Sequence, residues 1–141
     1  ISNLYIKKEI SGNWEKMNTR AMSLLQEEAK LQEIALLVGT ESLAEKDKLI
    51  LQTAKALRED FLIQNAFDEA DSFTSLKKQY LMLKAILSFR EKANSLLEGE
   101  KELKDIDKDG AIKEKIAKMK YIPEKEIEEI EKLIEGIGKM E

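Results

Sequence analysis

The chain is 141 residues long with a formal charge of −4, and it combines 43% apolar with 37% charged residues, a balance that fits one helical domain large enough for a core. It has no cysteine and no histidine, which excludes disulfides, zinc–thiolate sites and thiolate nucleophiles and removes the commonest general base and metal ligand. The mild acidity gives no footprint for nucleic acid and no pull toward anionic lipid, and no apolar run reaches membrane-spanning length, so direct membrane insertion is not expected.

The chain opens on Ile1 in an apolar "ISNLYI", with no signal peptide, and residues 1–12 read as a stub continuing from a longer protein. Trp14, Met17, Ala21, Leu24, Leu31, Ala35 and Val38 then recur at three- and four-residue steps, widened by Met22, Leu25 and Ile34. This spacing predicts an amphipathic helix from about Asn13 to Val38 with a broad buried face and Leu36 at its edge. Gly39 stands where a left-handed cap belongs, and Ser42 and Glu45 have capping-box spacing. A second helix follows through Ile50, Ala54, Leu57 and Phe61, and the short "GTES" turn makes the pair an antiparallel hairpin.

Periodicity lapses from Ile63 to Thr74, which predicts an ordered loop. Ser75 can cap a third helix with the stripe Leu76, Tyr80, Leu83 and Leu87, flanked by Met82, Ile86, Phe89 and Ala93, which fades at "EGEKE". A short helix near Ala111 to Lys120 leads to "YIPEKE", where Pro123 fits the first position of a last helix carrying Ile127, Ile130, Ile134 and Ile137. Five helices without strand signal, repeat or low-complexity linker define an all-α bundle with a projecting hairpin, residues 13–141 forming one domain.

The candidate chemistry is sparse. Asp105, Asp107, Asp109 and Gly110 match the first half of an EF-hand loop, with Ile112 at its apolar eighth position. The twelfth position needs a bidentate glutamate and holds Ile116, while Glu114 comes two residues early, so the run reads as a solvated acidic turn. The isoleucine stripe is too short for a coiled coil and reads as packing on the bundle. Glu27/Glu28 and Glu128/Glu129 are adjacent and diverge around their helices, which places them on the surface. Asp68, Glu69 and Asp71 read as a solvated loop. Phe61 and Phe67 bracket Gln64 and Asn65 at a helix exit; from the residues alone they are core anchors beside loop caps.

The order of "LLQEEAKLQEIALLVG", "SLAEKDKLIL", "REDFLIQNAF", "LKKQYLMLKAIL" and "MKYIPE" resembles the C-terminal helical domain of the catalytic A subunit of archaeal-type (A/V-type) rotary ATPases, from about Trp14 to Glu124. The "QYLMLKAIL" helix looks archaeal or bacterial. The related F-type beta subunit carries "DELSEED" at the hairpin tip and "RFLSQPF" at the end of the following helix, where this chain has "ESLAEKD" and "EDFLIQNAF". The resemblance implies that Phe67, with Phe61, Gln64 and Ala66, forms a wall of the adenine pocket. It implies that the tip residues Glu41, Ser42, Leu43, Ala44, Glu45, Lys46 and Asp47 contact the central rotor stalk.

The partners implied are the nucleotide-binding domain of the same subunit, neighbouring B subunits in a hexameric head and the central stalk subunits. The place implied is the cytoplasmic side of a membrane, in the soluble head. ATP or ADP and magnesium belong to the full subunit, with no catalytic, metal or cofactor residue expected in this segment. No GxxxxGK[ST] occurs here, so the segment alone is not expected to be an enzyme. Ile63 replaces a second Gln of relatives, and "KDIDKDGAIKE" is more acidic than their linker. The rival reading is a stand-alone helical interaction module.

Overall fold

The computed structural model describes residues 2–62, 76–99 and 101–141. Among these lie five α-helices and no strand: α1 (Ser2–Val38), α2 (Glu45–Ala56), α3 (Leu76–Leu97), α4 (Ala111–Lys118) and α5 (Glu128–Gly138). The all-α expectation holds. Helix α1 begins well before Asn13 and runs unbroken through residue 12, because one exposed glycine mid-helix costs only about 1 kcal/mol and nothing else there opposes helix.

The core organises around α3, which is buried on nearly every side by Tyr80, Leu81, Met82, Leu83, Ala85, Ile86, Leu87, Phe89, Ala93 and Leu97. Its most extensive neighbour is α5, followed by α2 and α1. The isoleucine stripe packs as expected: Ile127, Ile130, Leu133 and Ile137 are buried, and Ile134 lies partly buried against them. Leu76 departs from its predicted stripe and is exposed at the first turn of α3.

Helix α1 buries a narrower seam than its hydropathy suggests. Ile10, Met17, Ala21, Leu24 and Leu31 are inside, but Met22, Ile34 and Val38 are exposed, and Leu36 and Leu37 are 86% and 87% exposed. The seam follows alternating three- and four-residue steps because only the side facing α2 and α3 meets other helices. Two polar contacts reinforce the seam, Asn13 to the Tyr80 hydroxyl at 3.3 Å and an exposed Arg20–Glu91 ion pair.

The segment after α3 is held by its acids. Asp107, at φ 52°, accepts the backbone N–H groups of Ile112 (3.0 Å) and Lys113 (2.8 Å), and Asp109 accepts that of Ala111 (3.2 Å). These carboxylates satisfy donors that the start of α4 would otherwise leave orphaned. Among the described residues no group of carboxylates is arranged to hold a metal ion. Helix α4 gives way at Met119–Tyr121 to a 3₁₀ turn rather than continuing to Lys120, and Pro123 caps a second 3₁₀ turn ahead of α5.

Candidate functional site

Two places carry the functional expectations: the exit of α2 and the tip of the hairpin. At the exit, the backbone widens into a π-helical turn over Leu57–Leu62, a geometry found mostly as short insertions and frequently at functional sites. Leu57 and Phe61 point inward from it, Phe61 being only 4% exposed. Its ring therefore offers little face to any ligand. Gln64, Ala66 and Phe67 lie outside the described residues, as do Asn65, Asp68, Glu69, Asp71 and Ser75.

Ion pairs hold the turn from two directions. Arg58 donates a bidentate pair of hydrogen bonds to Glu28 of α1 at 3.1 and 2.7 Å. Glu28 is 7% exposed, so it is not the surface residue that its neighbour Glu27 is. The hydrogen bond to Glu28, supported by its charge, raises the Arg58 guanidinium above its ordinary pKa against the opposing pull of desolvation. Such fork-on-carboxylate geometry is the strong form of the contact. On the other flank Asp60 receives Lys120 Nζ at 2.9 Å, both side chains being mostly buried. The backbone oxygen of Lys120 in turn accepts Lys78 Nζ at 3.0 Å.

Beside this turn a cleft of about 330 Å³ opens between α2, α3 and α4. Ala56, Ile86, Phe89 and Ile116 form its apolar wall, and the Asp60–Lys120 pair closes one side.

The hairpin tip is stitched to the body. Gly39 has a positive φ of 86° but an extended ψ of 145°, so it departs from the left-handed cap expected of it. A 3₁₀ turn over Thr40–Ser42 follows, and Ala44 caps α2 without a side-chain hydrogen bond. The expected Ser42/Glu45 capping box does not form, because Ser42 belongs to the 3₁₀ turn and Glu45 is the first residue of α2 rather than its third. Its Oε1 accepts the backbone N–H of Leu103 at 2.7 Å, and its Oε2 pairs with Lys48 at 2.9 Å. The Leu103 bond first, and Lys48 second, hold the Glu45 carboxyl below the usual carboxylate range. Leu43 is buried at 8%, while Glu41, Ser42, Ala44 and Lys46 are exposed and Asp47 is half-buried.

The sequence reading missed Arg58, Asp60 and Lys120, and no local signal marks them, since their partners lie 30 and 60 residues away. It also missed the exposed apolar end of α1, Ile34 to Val38, because a hydropathy stripe does not say where the neighbouring helix stops.

The fold and these two places define a helical domain whose braced hairpin and π-helical exit are packed onto one central helix. The chain belongs to the family described as the C-terminal domain of V and A type ATP synthase, which matches residues 4–106. The V-type ATP synthase alpha chain of Clostridium novyi (strain NT) is 44% identical over 133 residues, covering 94% of this chain and 22% of that protein. The V-type ATP synthase alpha chain 1 of Clostridium tetani (strain Massachusetts / E88) is 46% identical over 135 residues, covering 96% and 23%. That of Thermoanaerobacter pseudethanolicus (strain ATCC 33223 / 39E) is 46% identical over 133 residues, covering 92% and 22%. The chain thus spans less than a quarter of the length of these relatives. Coverage this high of the chain takes in much of α4 and α5, beyond the family match. No helix among the described residues is long and apolar enough to cross a membrane.

Proposed function

We propose that this chain is the C-terminal part of the catalytic A subunit of an A/V-type rotary ATP synthase, which in the full complex couples ATP synthesis or hydrolysis to proton or sodium transport. The observation that carries the reading is identity of 44% to 46% to V-type ATP synthase alpha chains over nearly the whole chain. In this reading Phe67 forms the base-facing wall of the adenine pocket, with Gln64 and Ala66 beside it. Phe61, 4% exposed, works beneath that wall as its anchor. A flat aromatic face gives dispersion and stacking to any adenine nucleotide, and an amide matches the hydrogen-bonding edge of the base.

The phosphate chemistry and the magnesium ion then belong to the nucleotide-binding domain of the same subunit, in a soluble hexameric head shared with B subunits on the cytoplasmic side. The tip from Glu41 to Asp47 meets the central stalk. The exposed end of α1 beside it, Ile34 to Val38, supports this by leaving apolar surface uncovered by the domain itself.

Phe67→Ala in the assembled complex is expected to weaken ATP binding by about 1–3 kcal/mol, the worth of one base–aromatic stack. The Michaelis constant rises while turnover at saturating ATP changes little, since no phosphate contact is touched. Unchanged affinity would overturn the base-wall assignment.

A further inference from the structure

Much of the exposed surface of α1 is charged, as at Lys16, Glu27, Lys30 and Glu33, which is what a solvated helix face requires. One part of it is not. Asn18, Thr19, Met22, Ser23 and Gln26 line a shallow depression beside Trp14, with Glu15 as the only charge at its edge. Residues 17–26 hold a single charged residue, Arg20, and its ion pair with Glu91 turns it toward α3. The chain as a whole is 37% charged, so this is a gap in an otherwise charged surface. Met22 stands 56% exposed within it, and Trp14 is only half-buried. Depletion of charge with enrichment of tryptophan and methionine is the composition of the centre of an interface.

We propose that this face of α1, from Trp14 to Gln26, is where the nucleotide-binding domain of the same subunit docks. The inference rests on the parent-subunit reading above. This chain matches 22% and 23% of the length of its relatives, and the family is a C-terminal domain, so in that reading most of the polypeptide precedes α1. A tethered domain is already held at high effective concentration beside α1. It needs no charge to steer it, whereas a separate partner gains rate from complementary charge, so a neutral face suits the tethered occupant. Neutral polar residues around Trp14 and Met22 also match interfaces between domains of one chain, which are more polar than obligate ones. Position agrees with composition. The Arg58–Glu28 fork sets the exit of α2 level with residue 28 of α1, so the face lies toward that exit and away from the hairpin tip.

Oxidation by hydrogen peroxide, read by mass spectrometry of the methionine peptides, tests the face without any mutation, because Met17, Met82 and Met119 are buried references in the same chain. In the 141-residue chain Met22 is expected to form sulfoxide roughly tenfold faster than Met82, as its exposure requires. In the full-length subunit, purified without the other subunits, Met22 is expected to slow roughly tenfold, toward the rate of Met17. Ser23→Glu in that subunit places a charge in the interface and is expected to return Met22 to the fast rate. Met82 and Met119 should stay slow in the same sample, which separates undocking from unfolding, and Gln26→Glu should repeat the result. Fast oxidation of Met22 in the unmutated full-length subunit overturns the proposal. So does protection that arises only on assembly of the complex, which would give the face to a neighbouring subunit. Met22 still protected in both variants overturns it as well. The parent reading fails separately, on a full-length polypeptide with no nucleotide-binding domain ahead of α1, whatever the rate at Met22.

Discussion

The two arms of the hairpin carry similar apolar patterns and meet opposite fates. On α2, Leu49, Ile50 and Ala54 are buried and lead into Leu57 and Phe61. On the facing end of α1, Ile34, Leu36, Leu37 and Val38 all remain exposed. Helix α2 packs on both α1 and α3, whereas no residue of α1 after Leu31 is buried. Periodicity identifies the side of a helix that could be buried; only the neighbours decide how far along its length burial continues.

The sharpest way to break this contrast is to charge each arm. Leu57→Asp places a carboxylate at a fully buried position and is expected to cost about 3–5 kcal/mol, read as a lower denaturant midpoint. A wild-type midpoint would mean that α2 is not packed as described.

The polar tie between the arms gives a smaller effect. Glu28→Ala removes the carboxylate that Arg58 grips and is expected to cost about 1–2 kcal/mol, since Arg58 itself stays half in water. Glu28→Leu combined with Arg58→Leu should recover much of that loss, because an apolar pair avoids desolvating two charges. A double-mutant cycle measures the coupling, and additive costs would show that the fork carries no net energy.

Smaller still is the contribution of Glu45. Its folded pKa is depressed, so it favours the folded state above the ordinary carboxylate range, and this is lost as pH falls through the folded value. Glu45→Gln should therefore flatten the decline in stability on the acid side of about pH 4 and leave the slope near neutrality unchanged. An identical acid limb in both proteins would sink the Leu103 tie as its source.

The least effect belongs to the exposed arm. Leu36→Asp should change stability by no more than about 0.5 kcal/mol, being 86% exposed, although its stripe position alone predicts a large loss. A large loss would mean that the end of α1 is covered after all.

How far the sequence could be read follows the same line. The buried faces of α2, α3 and α5 were legible because each is packed along its whole length, so every periodic apolar residue except Leu76 found a neighbour. The half EF-hand was read as a solvated acidic turn, and its capping use was not visible, since it depends on the φ of 52° at Asp107. Glu28 escaped because adjacency to Glu27 says only that the two diverge, and the partner that draws one of them inward lies 30 residues on. Of the candidate site, Phe61 agrees with the reading of residues alone, in which aromatics anchor the core. The resemblance carried Phe67, Gln64 and Ala66, which fall outside the described residues.

The bond from Leu103 to Glu45 has a mechanical consequence. A helical hairpin gripped only at its base behaves as a cantilever, and its deflection under an end load grows steeply with unsupported length. Here the first turn of α2, at the outer end of the beam, is propped sideways against the chain following α3, and Leu43 just before it is buried. Force applied between Thr40 and Lys48 therefore has two routes inward, down the paired helices and across the prop toward the buried Leu103 and Ile106. The part of the hairpin without such a prop is the final turn of α1, the same turn that leaves its leucines uncovered.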